Sequence, residues 1–545
     1  MLQIEEIEFA SLPKFSKLFL DFVAGAQYFY SRFPANATVF SSGGKDYLKE
    51  IAKSVAARRD ILLNAIRGTM KDVELSPAQK AHLEKMESGE ALTVTAGQQI
   101  GFLGGALYSF LKGHSAVGIA ERLGEIHPDC YFAPVFWIED NDHDAAEISY
   151  AYFADGPSGL LRITHGFARA AARAPASELM FGADVEKALE AALEALPNTL
   201  IKGEISAFLN SLYKPGAKPL DVFIQLLQRA LGQTGLLFIS ASKARESGVW
   251  RELIEFELST AGLSRKLIEK ANSEIAANGY KIQAKASDVN LFLHRDGGRH
   301  SIELNREDNS FSAHGFRFTL EDLRNGKLTA SDFSPKVLAR PVFQSYLLPD
   351  AAIIGGPGEI GYLTQIKELY AHFGVEQPAV APRLSATFVP KRVARFLDKQ
   401  GLAAMYFMKD FSEIEKELMA RLGDEELDKT YKFCTDQITD AFERFSEFAK
   451  HIEPSLERSA AGAAHKSLDQ LEHLYKKVSS LQKKSFSDTF EKYRKVHSWL
   501  FPGNGLQERS LNAAAIFNES SPEQLTKLLR VIAKSDKRRH YMVYL

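Results

Sequence analysis

The sequence predicts an α/β protein built on a parallel sheet, with an inserted β/α subdomain and a C-terminal helical coiled-coil hairpin. Three observations predict it. Short β-branched or apolar runs at Thr93-Thr95, Tyr131-Ile138 and Leu236-Ser240 each follow a helical stretch, and such runs between helices read as strands buried on both faces. Two runs end in glycine turns that open helices, at Gly97-Gly105 and at Gly355-Glu359. Beyond Lys391 glycines become scarce and apolar residues recur in steps of three and four, as in a helical seam.

Composition narrows the function classes. A chain of 545 residues holds two to four domains at the usual roughly 100 to 200 residues each. Hydrophobic and charged contents of 45% and 25% are those of a soluble globular protein, and a formal net charge of -2 gives no reason to expect nucleic acid or an anionic membrane as partner. No apolar run approaches the roughly 20 residues that span a bilayer, and Glu5 and Glu6 stand where a signal peptide would be basic. Cys130 and Cys434 lie far apart, which excludes a disulfide framework or a cysteine zinc site and suits a reducing cytoplasm.

The elements follow in order. Residues 1-45 are aromatic-rich and irregular. Leu48, Ile51, Val55, Leu62 and Ile66 predict a helix from Tyr47 to about Met70, and Ser76-Pro77-Ala78-Gln79 opens a second that stops near Gly89. After the first glycine loop a helix through Leu123 leads to the Tyr131 strand. A loop at Asp155-Gly156-Pro157 precedes helices at Val185-Leu196 and Leu220-Leu231, then the Leu236 strand, then helix to Asn278. Ile282 to Phe318 predicts an inserted antiparallel β unit, with turns at Arg295-Gly298 and Glu307-Asn309. Ala351-Ile354 repeats the plan of strand, glycine turn and helix, the helix running through Tyr370. Pro378, Pro382 and Pro390 mark a boundary and leave Arg383 exposed. The predicted domains are therefore 1-390, a core with insertions at about 155-330; 391-500, a helical coiled coil; and 501-545, a segment returning to the core. In the coiled coil, Ile438, Phe442, Phe445, Phe448 and Ile452, then Leu471, Leu474, Val478 and Leu481, form two short seams and predict a self-associating antiparallel hairpin.

Chemistry concentrates beyond the strand ends, where open α/β sheets bind ligands. Gly97, Gln98, Gln99, Gly101, Gly104 and Gly105 form a loop whose amides, with the helix dipole, suit a phosphate or carboxylate. A plain tight turn uses the same glycines, and neither the dinucleotide nor the P-loop spacing is met. Lys112 and His114, two residues apart, cannot share one helix face well; the expectation is that one of them reaches a ligand and the other is simply exposed. Asp142, His143 and Asp144, with Glu147, fit a divalent metal, a general base or an acidic loop that caps the next helix. Arg340 and Arg383 suit a carboxylate or phosphate, or are surface charges. No Ser-His-Asp nucleophile turn and no metal motif of strict spacing is present.

Taken jointly, Thr95-Ala96-Gly97-Gln98-Gln99-Ile100-Gly101, Pro134-Ile138 with Asp142-His143-Asp144 and Glu147-Ile148, Arg340-Pro341 with Gln344, Gly355-Ile360, Pro382-Arg383 and Leu506-Gln507-Glu508-Arg509 closely resemble the cysteine-adding enzymes of bacillithiol synthesis, the BshC family. Ala96 departs from the pattern, standing where threonine directly precedes Gly-Gln-Gln. The resemblance runs along the whole chain. It implies a Rossmann-like core related to class I nucleotidyltransferases, a coiled coil that forms a homodimer, and a cytoplasmic ligase that joins the carboxyl group of cysteine to the amine of glucosaminyl-malate. On it, Asp142, His143 and Asp144 orient or deprotonate the amine. The glycine loop, Lys112, His114, Glu147, Arg340, Gln344, Gly355, Gly356, Glu359 and Arg383 hold substrate or nucleotide, with Glu359 on an amine and Arg340 or Arg383 on malate carboxylates or a phosphate. ATP with magnesium stays open as the activating co-substrate, because Gly113-His114-Ser115-Ala116 is only a fragment of a His-Ile-Gly-His signature and no Lys-Met-Ser-Lys-Ser loop is present. The rivals are an ATP-dependent ligase or nucleotidyltransferase acting on another small acid, and a non-catalytic coiled-coil scaffold.

Overall fold

A computed structural model describes residues 3-155, 159-168, 173-422, 425-535 and 538-545, so Gly156 and Pro157 of the expected loop lie outside the described residues. The chain forms two compact units. One comprises Met1–Phe153, Leu161–Arg395 and Gly505–Leu545; the other comprises Ala154–Leu160 and Phe396–Asn504.

The first unit is organised by five parallel strands, in the order Ala379–Pro382, Asp350–Gly355, Ala91–Gln99, Tyr131–Glu139 and Leu237–Ser240. The chain starts at the central Ala91 strand, builds outward through the Tyr131 and Leu237 strands, then returns to its other side. Strand order therefore reverses between the Ala91 and Asp350 strands, and the crevice of a doubly wound sheet opens there. Val94, Ala96, Val135, Phe136 and Ile138 have no exposed surface. Thr93 and Thr95 are equally buried, because both hydroxyls donate to the Asp350 carboxylate, Thr93 at 2.7 Å. Burial pushes that carboxyl up to about 6.

Several boundaries differ from expectation. The Tyr47-Met70 helix is two helices, Lys45–Ser54 and Arg59–Thr69, joined by a 3-10 turn at Ala56–Arg58. Ile51 and Leu62 are eleven residues apart, about three helical turns, so the apolar register crosses the break unchanged. The helix expected through Tyr370 is likewise two, Pro357–Leu363 and Lys367–Phe373. Residues 378-390 are not a bare boundary but carry two strands, Ala379–Pro382 and Ser385–Val389. The second of these runs parallel to His540–Tyr544, which also pairs antiparallel with Ile4–Ile7, so both chain ends are fixed in one sheet. Ser76 and Gln79 form the expected capping box. The β insert is antiparallel but starts at Leu291, with Asp296 (φ 52) and Gly297 (φ 72) in the paired left-handed conformations of a two-residue hairpin turn.

The second unit contains the helices Glu425–Ile452 and Leu456–Ser485, which turn back on each other at Pro454. Tyr431 stacks on Tyr475 at 4.2 Å and the Tyr475 hydroxyl donates to Asp428, so the pair is antiparallel. Phe445, Phe448, Ile452, Leu474 and Leu481, expected inside the seam, are instead 59% to 70% exposed. No helix among the described residues is long and apolar enough to cross a membrane.

One close approach sets a packing constraint in the first unit. A Cβ on Gly118, within the helix Tyr108–Ile126, would lie 2.6 Å from the carbonyl carbon of Ala533 in the helix Pro522–Lys534. Replacing an interior helical glycine by alanine gains about 1 kcal/mol of propensity, whereas overpacking against backbone costs about 1-3 kcal/mol. Gly118→Ala is therefore expected to lower the urea midpoint. Gly124→Ala, in the same helix with nothing within 4 Å, is expected to raise it.

Candidate active site

The crevice at the strand reversal is a cavity of about 730 Å³. Its floor is the ends of the Ala91 and Asp350 strands. The Ala91 strand runs four residues further than its β-branched core, Thr93-Thr95, suggests, so Gly97, Gln98 and Gln99 are strand residues that line the cavity, the two glutamines with side chains as well as backbone. The turn proper is Ile100 to Leu107. There a Cβ on Gly101 would meet the Gly105 Cα at 2.5 Å, and Gly104 and Gly105 have φ of +85° and +69°, so all three positions require glycine. Gly101 and Gly105 line a smaller lobe of about 180 Å³ that shares Gln98, Gln99, Tyr108, Glu147 and Arg509 with the main cavity. Gly104 lies buried beneath the ring of Phe110 and faces neither lobe.

Lys112 and Glu359 lock the floor. The ammonium lies 2.6 Å from the Glu359 carboxylate and also donates to the Gly97 carbonyl at 2.5 Å and the Gln98 Oε1 at 2.8 Å. Glu359 in turn accepts from the Gly356 amide at 2.8 Å, capping its own helix. Burial pushes the Glu359 carboxyl up, but Lys112 and that amide outweigh it and hold it below the usual carboxylate range. His114, on the other face of the helix, is 1% exposed, lines neither lobe, and is pulled down to about 3 by burial. The member of that pair that lines the cavity is Lys112.

The Asp-His-Asp stretch separates. Asp142 lines the cavity, bonded to Gln99 Nε2, to the His143 amide at 2.8 Å and to Arg299 at 3.4 Å. Burial raises its carboxyl, but Arg299 and these donors bring it below its ordinary value. His143 points away. Its Nε2 accepts from Arg173 at 2.7 Å, and burial with the neighbouring Arg173 and Arg299 charges lowers its affinity for a proton, so its lone pair is occupied. Asp144 faces solvent and caps the helix Ala145–Ile148 by accepting the Ala146 and Glu147 amides. Among the described residues no group of three or more His, Cys, Asp or Glu side chains is placed to hold a metal ion.

The arginines divide similarly. Arg340 lines the cavity, donating to the Tyr362 hydroxyl at 3.1 Å and lying 3.8 Å from Glu139. Arg383, expected to be exposed, is 5% exposed, because Glu508 holds it at 2.6 Å and the Leu384 carbonyl at 2.8 Å. It forms a wall of the cavity with much of its charge neutralised. Gln344 reaches both the cavity and Asp350 (3.2 Å), Gly356 lines the cavity, and Gly355 ends its strand fully buried against Ile360.

Residues not foreseen complete the walls. Glu139, at the end of the Tyr131 strand, is 6% exposed, accepts from Trp137 Nε1 at 3.3 Å and lines the cavity; burial pushes its carboxyl up against the opposing pull of Arg340 and Arg299. The β insert supplies Arg299, whose guanidinium lies over Phe292 and donates to Ser334 and Pro335, and Lys336, which burial pulls down to about 8. Glu139 was legible as the last apolar-strand position before the acidic turn. Arg299 and Lys336 carried no local signal, since only tertiary folding of the insert brings them to the crevice. Among the described residues the main cavity is lined by seven cationic side chains against four carboxylates.

The sequence matches two models of one family. The model of the bacillithiol biosynthesis BshC N-terminal Rossmann-like domain matches residues 2–384, and that of the BshC C-terminal coiled-coil domain matches residues 386–545. The chain belongs to the BshC family. It is 29% identical to "Putative cysteine ligase BshC" of Chlorobaculum tepidum, over 97% of each chain. Proteins of the same name from Salinibacter ruber and Cytophaga hutchinsonii are 26% and 28% identical, over 98% and 93% of this chain and 97% and 92% of theirs. In this BshC chain the two glycine turns meet across the Lys112-Glu359 pair.

Removing one partner of a buried ion pair leaves an uncompensated charge and typically costs about 3-5 kcal/mol, whereas replacing both by apolar residues is often near neutral. Lys112→Met and Glu359→Met are each expected to lower the unfolding free energy by an amount near the bottom of that range, given the partial exposure of Glu359. The double variant is expected to recover most of the loss, as a double-mutant cycle in denaturant would read.

Proposed function

We propose that this chain is a cysteine ligase of bacillithiol synthesis, joining the carboxyl group of cysteine to the amine of glucosaminyl-malate. The observation that carries the proposal is the excess of cations in the crevice beside carboxylates of opposite tendency. Cysteine and the malate arm bring carboxylates, for which Arg340, Lys336 and Arg509 are suited; the sugar amine arrives protonated and needs a carboxylate. Asp142, held ionised by Arg299, is suited to pair with that ammonium. Glu139, with its raised proton affinity, is suited to take the proton whose loss frees the amine to attack.

In the joining step the bound ammonium first gives one proton to Glu139. The freed amine then attacks the activated acyl carbon: the C-N bond forms, the bond from that carbon to the phosphate or AMP oxygen breaks, and the second nitrogen proton passes to solvent as phosphate or AMP leaves. A free carboxylate does not react this way in water, so the carboxyl must first be activated as an acyl phosphate or acyl adenylate. The amides and glutamines of the strand end and the remaining cations fit either anionic form. The test is mass-spectrometric detection of product from cysteine and glucosaminyl-malate, with and without ATP and magnesium. Wild type is expected to form the amide, and Glu139→Gln to lower kcat by about 10²-10⁴-fold, the usual span for a positioned general base, with KM little changed. Specific turnover of a different acid, or unimpaired Glu139→Gln, refutes the assignment.

The same reading includes a homodimer formed through the helical hairpin. Phe433, Phe445, Phe448 and Ile452 leave an exposed apolar stripe along one helix, with Leu474 and Leu481 exposed on the other. Phe445→Asp with Phe448→Asp is expected to shift the chain from dimer to monomer in sedimentation velocity without loss of helix by circular dichroism. An unchanged sedimentation coefficient would place any dimer contact elsewhere.

A further inference from the structure

The lobe of about 180 Å³ beside the crevice is about a quarter of its size and differs from it in charge. The crevice is rich in cations, whereas among the described residues the lobe is lined by one cation, Arg509, and one carboxylate, Glu147. Gly101, Gly105, Ala106 and Ala151 supply walls without bulk. Gln99 places the Glu147 carboxylate at the boundary of the two spaces. Its side-chain amide donates to Asp142 and, at 3.3 Å, to Glu147, so the two carboxylates are neighbours. Asp142 has Arg299 as a cationic partner, while among the described residues Glu147 makes no ion pair. Burial, with the nearby Asp144 and Asp142 charges, pushes the Glu147 carboxyl up, and a cation set against it relieves that cost.

An α-amino acid carries one carboxylate and one ammonium, the complement of what lines the lobe. In an aminoacyl amide only the α-carbon and the carbonyl carbon separate the α-nitrogen from the amide nitrogen. The groups that hold those two nitrogens must therefore be adjacent, as Asp142 and Glu147 are across Gln99. Pairing with a carboxylate also keeps the α-amine protonated and so not nucleophilic, which prevents the amino acid from being joined to a second copy of itself. A phosphate group in the lobe would instead be repelled by Glu147.

We propose that the smaller lobe is the amino-acid subsite, in which Glu147 holds the α-ammonium of cysteine while its carboxyl group points to the amine held at Asp142. The identity of the amino acid rests on the ligase reading; the place of its ammonium rests on the geometry around Gln99.

The test is isothermal titration of the full-length protein, under reducing conditions, with cysteine and with 3-mercaptopropionate, which keeps the thiol and the carboxylate but lacks the ammonium. Wild type is expected to bind cysteine about tenfold more tightly, the difference one charged hydrogen-bonded pair makes. Glu147→Gln is expected to lose that preference through weaker cysteine binding, with 3-mercaptopropionate bound as before, which also shows that the variant is folded. Glu147→Asp, which keeps the charge on a shorter arm, is expected to retain part of the preference. No cysteine binding to wild type, no preference for cysteine in wild type, or an unchanged preference in Glu147→Gln overturns the subsite. Amide formation by the same preparation reads the ligase assignment separately: product with Glu147-independent cysteine binding overturns the subsite alone, and Glu147-dependent binding without product overturns the ligase reading alone.

Discussion

The ion pair between Lys112 and Glu359 is the constraint on which the site depends. Lys112 follows the first glycine turn and Glu359 the second, so their 2.6 Å contact fastens the two halves of the sheet across the point where strand order reverses. Neither charge could be buried alone, since the desolvation cost is recovered only with a partner and further hydrogen bonds. The Gly97 carbonyl, Gln98 and the Gly356 amide provide those bonds. Each of these groups lies at the strand end or the turn that lines the cavity. Stability of the pair and shape of the crevice are thus one arrangement: whatever relaxes the pair also moves the cavity floor.

A second consequence concerns charge. Lys112 is satisfied by Glu359 and Arg383 by Glu508, so neither carries its full positive charge into the cavity. The field there falls to Arg299, Lys336, Arg340, Lys285 and Arg509, of which Arg299 comes from the β insert and Arg509 from the C-terminal segment. An insertion and a returning tail, which the strand and helix pattern treats as peripheral, supply the cations of the site. This also explains why the tail is anchored so firmly. Glu508 binds Arg383, Ser385 and the Ala386 amide, and Gln507 bonds the Phe388 amide at 2.8 Å, which holds Arg509 at the crevice rim.

Legibility in the sequence followed the range of the interactions involved. Ser76-Gln79 and the Tyr131 strand were readable because a cap and a doubly buried strand are written in adjacent residues. The two glycine turns were readable for the same reason, although the first begins later than its glycines suggest. Arg383 was misplaced because neighbouring prolines imply exposure, whereas its burial is decided by Glu508, 125 residues away. His143 looked like a base because carboxylates flank it; Arg173, thirty residues on, occupies its ring nitrogen. The coiled-coil seam had the right period and the wrong phase for the hairpin, since a helix with apolar residues on two adjacent faces reads as one broad stripe. Tyr431 and Tyr475 define the inner face, and the phenylalanines lie on the outer one.

The acid-base logic of the crevice follows from its electrostatics rather than from the histidine. Near neutral pH an attacking amine must be uncharged, while its resting form is an ammonium, so the site has to bind a cation and then accept its proton. One carboxylate cannot do both well, because tight pairing with the ammonium favours the ionised form that surrenders nothing and stabilises the unreactive amine. Two carboxyls driven in opposite directions can. Arg299, Gln99 and the His143 amide favour the ionised form of Asp142, whereas the burial of Glu139 at a strand end raises its proton affinity despite Arg340. On the proposed reading, the β insert that carries Arg299 sets which carboxyl binds and which one receives the proton, so that the division of labour would depend on a hairpin inserted far from the sheet in sequence.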